Sequence, residues 1–365
     1  MPVGRRLRLL GGILLLLGGG LVLLFGLPKI GGGPPSDFGF EEYPALTPGD
    51  DGFPSIESHY PIQALERFGI VRPGGRPLLL QIAVYPDEQG ALRRAIVFLL
   101  ENTSAGVPEH GADSALNRLR WQAWLDAAEA IDRHVADDAL FVTWWDNAQR
   151  IHLLTGRRSW IQSPAAELFD TDHRDFWRRA SGGFIENNVP LQRMAEWLSM
   201  DADEALASIS KTFRNGQEVY LLAGVDDLAR LSEIGTLSGR PLPFQTRLFQ
   251  TGDNIHKLIA SVKRWAREKG GGSYLAQRLP GVGVRAWRIT DPAGEKMLIA
   301  RLLPFSTSLS NSLPEGLDLV YRFDWGGYLS IYRWHPSDPV QSSMGKGDRL
   351  VPPLSPLAPR TGPSD

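Results

Sequence analysis

The 365-residue sequence contains no cysteine. This absence excludes disulfide bonds, a lipid-modified cysteine, thiolate ligation of iron–sulfur clusters and the C-x-x-C-H attachment of c-type haem. Stability must therefore come from a packed core, and any electron-transfer chemistry would need a partner protein or a non-covalent cofactor. We predict that the chain carries no cofactor of its own.

The sequence also lacks an excess of either acidic or basic residues. The chain has 39 Lys and Arg against 41 Asp and Glu, a formal net charge of -2. This balance predicts no nucleic-acid binding and favours no strongly acidic or basic partner. The histidines lack a metal-ligand spacing, and the serines at 306–310 lack a G-x-S-x-G frame. We predict no metal site and no catalytic residues.

The amino terminus carries an uncharged run from residue 9 to 27, preceded by Arg5, Arg6 and Arg8. Its length is close to the ~20 residues that a helix needs to cross a bilayer. Because positive residues stay on the cytoplasmic side, we predict a single-pass inner-membrane anchor with the remainder of the chain in the periplasm. A cleaved signal peptide is the alternative, although its apolar region is normally shorter, ~7–15 residues.

The pattern beyond the anchor predicts an α/β (α+β) domain with a mixed sheet and a β-rich C-terminal part. Strand patterns at 78–85 and 94–100 indicate a hairpin, and a helix should end near His134. We predict five C-terminal strands, at 274–279, 284–289, 297–303, 317–323 and 328–334. The predicted divisions are a stub and anchor (1–30), a Gly/Pro linker (31–56), an extracytoplasmic domain (57–335) and a disordered tail (336–365).

Two apolar strands are followed by polar residues. One strand lies within 139–145, before a helix that Gly156 should end, and the other spans 219–223. If these strands are parallel neighbours, their carboxyl ends meet at one sheet edge, where α/β proteins usually bind ligands. The residues predicted to bind a ligand there are Trp144, Trp145, Asp146, Asn147, Arg150, Asp226 and Asp227.

A structural interpretation of the same residues stands beside this one. Paired tryptophans at a strand end commonly pack in a core, and Asp146 before a helical pattern commonly caps the helix. The neighbouring arginines would then pair with carboxylates or face solvent. The residues alone do not name a reaction.

The string WWDNAQRI at 144–151 follows a helix with a Trp-x-x-Trp pair and precedes LLTGR. These features resemble the hydroxylamine oxidation protein HaoB family, which is encoded beside hydroxylamine oxidoreductase in ammonia-oxidising bacteria and methanotrophs. The resemblance implies a membrane-anchored periplasmic accessory protein without its own haem, acting as a scaffold or as a partner in an electron-transfer complex. The implied partners are hydroxylamine oxidoreductase or cytochromes c.

The same string is also similar to the Trp-Trp-Asp-Tyr-Gly motif in the soluble domain of oligosaccharyltransferase catalytic subunits. Asn147 and Ala148 stand where that motif has Tyr and Gly, and the many membrane spans of those enzymes are missing. This resemblance implies an alternative function, a peptide- or glycan-binding module without glycosyl transfer. A hydrolase or redox enzyme with an unrecognised site is a third hypothesis.

Overall fold

A computed structural model describes residues 39–51, 53–54, 56–71, 78–100, 115–213, 217–250, 255–268, 272–279, 283–323 and 328–335. The predicted anchor at 9–27 and the predicted tail at 336–365 lie outside these residues. Among the residues that are described, no helix is both long and apolar enough to span a bilayer. The described residues form a mixed α/β structure with three sheets, as the sequence predicts in outline.

The first sheet is an antiparallel meander of four strands in chain order. It consists of β1 (Gly39–Leu46), β2 (Ala64–Val71), β3 (Leu78–Pro86) and β4 (Leu92–Leu100). The predicted hairpin is therefore confirmed as β3 and β4. Residues 39–46 fall inside the stretch predicted to be a linker, but they form β1 because Phe40 stacks on Phe176 and the strand pairs with β2.

The second sheet is mixed and holds the site, with the strand order β11-β12-β7-β5-β6. The predicted parallel pairing is confirmed, because Leu140 of β5 lies opposite Val219 of β7. Every residue of β7 is buried, as expected for a strand that is covered on both faces. The strands are β5 (Leu140–Val142), β6 (Arg158–Ser159), β7 (Val219–Gly224), β11 (Leu317–Phe323) and β12 (Leu329–Trp334).

Helices connect and cover these strands. The predicted helix end at Gly156 is confirmed, because Gly156 ends α2 with a φ of 69°. Asp201 caps α5 by accepting from the Asp203 backbone N–H. The α-helices are α1 (Ala115–His134), α2 (Trp145–Thr155), α3 (Arg174–Ala180), α4 (Val189–Ser199), α5 (Ala202–Thr212), α6 (Leu231–Ser238), α7 (Ile255–Arg267), α8 (Leu298–Leu302) and α9 (Ser306–Ser310).

The third sheet is antiparallel, in the order β8 (Phe244–Gln250), β10 (Gly283–Ile289) and β9 (Tyr274–Leu279). Trp287 and Leu275 of this sheet join the main core. The predicted strand at 297–303 is wrong, because its centre forms α8, which packs against α4 and α5. The run is short and apolar apart from Arg301, which fits a buried helix and a buried strand equally well, so its pattern could not separate the two.

Candidate functional site

The site begins where β5 leaves the mixed sheet. Thr143 donates its hydroxyl hydrogen to the Leu222 carbonyl at 2.8 Å, which ties this corner to β7. Trp144 then has an extended backbone and precedes the first residue of α2, Trp145. Asp146 lies inside the first helical turn rather than at the cap position. The expected capping role of Asp146 is therefore wrong, and its side chain has other partners.

Asp146 accepts from two arginines. Its Oδ2 atom lies 3.4 Å from Nη2 of Arg150 and 3.3 Å from Nη2 of Arg230. Nη1 of Arg230 also donates to Oε1 of Glu233 at 3.0 Å. All four residues are at most 5% exposed, so these charges neutralise one another inside the protein.

Asn147 joins the ends of the two parallel strands. Its Nδ2 donates to Oδ1 of Asp227 at 2.8 Å, and its Oδ1 accepts from Nη1 of Arg150 at 3.0 Å. The other oxygen of Asp227 accepts the Gly224 backbone N–H at 2.8 Å. The predicted proximity of Asn147 to Asp227 is confirmed. We call the six connected side chains the buried polar cluster: Asp146, Asn147, Arg150, Asp227, Arg230 and Glu233.

The cluster also reaches the first sheet. Nε of Arg150 donates to the carbonyl of Ile96 in β4 at 2.9 Å. The network therefore connects four elements. Helices α2 and α6 supply side chains, and β4 and β7 supply the backbone groups of Ile96 and Gly224. Such a network fixes the relative position of these elements, because each buried donor that lost its acceptor would retain a desolvation penalty.

The two tryptophans of the motif are core residues. Trp144 is 1% exposed and Trp145 is 0% exposed. The guanidinium carbon of Arg230 lies 5.6 Å from the Trp145 ring centroid, within cation–π distance. Arg150 lies 5.4 Å from the ring of Trp124, which comes from the upstream Trp-x-x-Trp pair. The core-packing interpretation of the paired tryptophans is confirmed.

Asp226 is separate from the cluster. Its carboxylate pairs with Arg120 of α1 at 3.1 Å, and about a third of its side chain is exposed. The structure therefore brings together six of the seven predicted residues and leaves Asp226 on a neighbouring surface. Ligand binding by these seven residues stays a prediction.

Burial shifts the acidity of Asp227. Removal from water raises its pKa to about 7, and the nearby charge of Asp146 acts in the same direction. The hydrogen bonds from Gly224 and Asn147 oppose this rise, because they stabilise the ionised form. Asp227 therefore changes its charge close to neutral pH.

The other two carboxylates share Arg230 but differ in acidity. Burial acts to raise the pKa of Asp146, yet Arg230 and Arg150 outweigh it and hold this pKa below its ordinary value. Glu233 has its pKa raised to about 7 by burial, with Arg230 opposing and the charge of Asp146 adding to the rise. Asp146 is thus the ionised partner of the arginines at neutral pH.

Arg230 and Glu233 were not among the predicted site residues. Their i, i+3 spacing at the start of α6 is a signal typical of an exposed helical ion pair. The packing of α6 against α4 and the ion pair of Arg230 with Asp146 accompany the burial of this pair. Among the residues that the structure describes, no group of three or more acidic or histidine side chains could hold a metal ion.

Comparison with known proteins gives a family. The model of a family described as HaoA-associated protein HaoB matches residues 4–334. No curated protein matches the chain. The resemblance of the WWDNAQRI string to this family is confirmed.

Two solved structures are similar to the chain over part of its length. The C. jejuni PglB C-terminal domain has 11% identity and a TM-score of 0.35, with 58% of this chain and 99% of that chain covered. The C-terminal globular domain of an oligosaccharyltransferase from Archaeoglobus fulgidus has 10% identity and a TM-score of 0.30, with 59% and 97% covered.

Proposed function

Because the chain belongs to the family of HaoA-associated protein HaoB, we propose that it is an accessory protein of hydroxylamine oxidation. In this proposal it associates with HaoA, the hydroxylamine oxidoreductase, or with the cytochromes c that serve it. The family match over residues 4–334 is the observation that carries the proposal. A scaffold, rather than an enzyme, is the role that fits the buried polar cluster best.

The position of the cluster supports a scaffold. Its six side chains are at most 5% exposed, and they bond to one another and to the backbone of β4 and β7. A catalytic group has to reach its substrate, whereas a buried, hydrogen-bonded network holds elements in a fixed arrangement. The same burial argues against surface recognition of a peptide or glycan by Trp144, Trp145 and Asp146.

The proposal includes a location. We place residues 9–27 in the inner membrane as a single anchor and the folded domain in the periplasm, on the strength of the apolar run and the arginines before it. The absence of cysteine supports a protein without a covalent c-type haem, so electrons would pass through its partners.

The test is an affinity purification from native membranes. Full-length protein with a C-terminal tag is extracted in mild detergent, and co-purified proteins are identified by mass spectrometry. In a matched chain, a cleavable export signal replaces residues 1–30, so the protein loses the predicted anchor but still reaches the periplasm. It retains β1, which pairs with β2 in the first sheet. We expect HaoA or cytochromes c with both proteins, because the contact lies on the folded domain.

Two results would contradict the proposal. Recovery of envelope glycan or peptide components without HaoA from both chains would favour the binding-module alternative. An intrinsic haem or flavin spectrum of the purified protein alone would favour a redox enzyme. Release of the chain that lacks residues 1–30 into the periplasmic fraction, with the full-length chain in the membrane fraction, tests the anchor separately.

A further inference from the structure

One part of the molecule has a charge that differs sharply from that of the whole chain. The stretch 244–289, which contains β8, α7, β9 and β10, carries nine Lys and Arg but only two Asp and Glu. The complete chain has slightly more acidic than basic residues, so the remainder of the chain is distinctly acidic. This asymmetry concentrates positive potential on one part of the surface.

The way α7 packs decides which of its side chains face water. Leu258, Val262 and Trp265 are buried against the third sheet, where they contact Val284 and Ala286. The apolar side of the helix is therefore already covered by its own sheet. The opposite side faces solvent and carries the basic residues.

Two exposed arginines of the edge strands flank this helix, because their strand partners Ala286 and Val284 lie on the side of the sheet that α7 covers. We call the five exposed basic side chains the basic face: Arg247 of β8, Lys263, Arg264 and Arg267 of α7, and Arg278 of β9. Within the described part of the chain, none of the five has a carboxylate within ion-pair distance. Ile259, 44% exposed and one helical turn before Lys263, adds an apolar contact point to this face.

We propose that the basic face is the docking surface for an acidic, carboxylate-rich protein surface. We assign this acidic surface to HaoA, which rests on the proposed function. Four of the five cations are arginines, and arginine is enriched at protein interfaces, where its planar group binds carboxylates through two parallel hydrogen bonds.

A bilayer fits this face less well. Helices that lie on membranes insert an apolar side into the boundary between headgroups and acyl chains. In α7 that side is occupied by the sheet. Among residues 256–267, whose burial is described, Ile259 is the one exposed large aliphatic residue. A lipid surface would then bind through charge alone. An acidic protein can in addition place its carboxylates at the spacing of the arginines.

Docking of this kind has a definite response to charge and salt. Exposed ion pairs each contribute little, so loss of three together should weaken binding about tenfold at low ionic strength. Raising the salt concentration should reduce the difference, because exposed charges are screened over ~8–10 Å. A structural role for these residues could weaken binding, but it would not predict that added salt reduces the difference between the variants.

The experiment measures binding of purified HaoA to immobilised full-length protein in non-ionic detergent. The test variant is Lys263→Gln, Arg264→Gln and Arg267→Gln together, because Gln keeps a helix propensity near that of Lys and Arg. The control variant removes three exposed cations elsewhere: Arg193→Gln, Lys211→Gln and Arg240→Gln. We expect about tenfold weaker binding of the test variant and about unchanged affinity of the control.

Each other outcome has a separate meaning. Equal affinity of both variants would overturn the basic face while the association with HaoA stands. No binding of HaoA by the unaltered protein would overturn both the docking surface and the proposed function. Binding to mixed micelles of phosphatidylglycerol instead of HaoA, or a concentration-dependent dimer that the test variant loses, would identify a lipid or a second copy as the occupant and overturn the protein partner.

Discussion

The buried polar cluster and the basic face use arginine in opposite ways. Arg150 and Arg230 lie in the interior, and each contacts at least two polar groups. Arg264 and Arg267 are exposed on α7, and neither forms an ion pair with a carboxylate of the described residues. Burial makes each contact of the first pair costly to lose, whereas solvent screens the second pair.

This difference separates stability from association. A buried charge stays in place only while its partners remain, so the cluster should determine whether the domain keeps its fold. An exposed, unpaired charge contributes little to the fold and stays free to meet a partner. Substitutions in the cluster should therefore change unfolding, and substitutions on the basic face should change binding.

The largest expected effect comes from breaking the cluster at Arg230. Replacement by Met leaves Asp146 and Glu233 buried with one cation fewer, so we expect a loss of about 3–5 kcal/mol in the free energy of unfolding. Urea denaturation followed by tryptophan fluorescence measures it. Arg240→Met, at an exposed position that follows α6, is the matched control and should change stability by less than about 0.5 kcal/mol. Equal stability of the two variants would mean that the cluster does not hold the domain together.

The second prediction concerns pH. The pKa values of Asp227 and Glu233 lie at about 7 in the folded protein, above their ordinary values of 3.8 and 4.5. The folded state thus holds more protons than the unfolded state between those limits, and stability falls as the pH rises towards 7. We expect a decrease of roughly 1–3 kcal/mol from about pH 5 to about pH 8. The lowered pKa of Asp146 acts in the opposite sense, but only as the pH falls through its lower range.

Asp227→Asn tests the source of this pH dependence. It removes one of the two titrating groups, so the slope of stability against pH should become shallower between about pH 5 and about pH 8. Asp226→Asn removes the adjacent carboxylate, which is partly exposed and paired with Arg120. The charge of Asp226 is one of the smaller causes that raise the pKa of Asp227, so this variant should change the slope less than Asp227→Asn does. A slope that is the same in both variants would exclude Asp227 as its origin.

Much of the fold follows from local signals in the sequence. The continuous apolar run of β7, the turn between β3 and β4, Gly156 and Asp201 each specify an element or its end through neighbouring residues. The errors have a common physical cause. Residues 39–46 and 297–303 acquire their structure from packing, the first on Phe176 and β2 and the second on α4 and α5.

The site residues also divide into those that local signals could place and those that depend on packing. Asn147 and Asp227 could be placed together because parallel neighbouring strands end at one edge of a sheet. Arg230 and Glu233 could not, because charged residues at i, i+3 on a helix are usually solvent-exposed. The bond from Arg150 to the Ile96 carbonyl depends on how the first sheet packs against α2, and no local pattern encodes that contact.

The smallest expected effect is the stability of the triple variant Lys263→Gln, Arg264→Gln and Arg267→Gln. These side chains are exposed and form no ion pair within the described residues, so the free energy of unfolding should change by less than about 0.5 kcal/mol. Arg288→Gln in β10, the strand beneath α7, is the comparison, because Arg288 is buried and donates to Gln245 and to the Trp265 carbonyl. Its loss should cost about 1–3 kcal/mol in urea denaturation. A triple variant as destabilised as Arg288→Gln would show that the basic face supports the fold, and its weaker binding of HaoA would then have a structural cause.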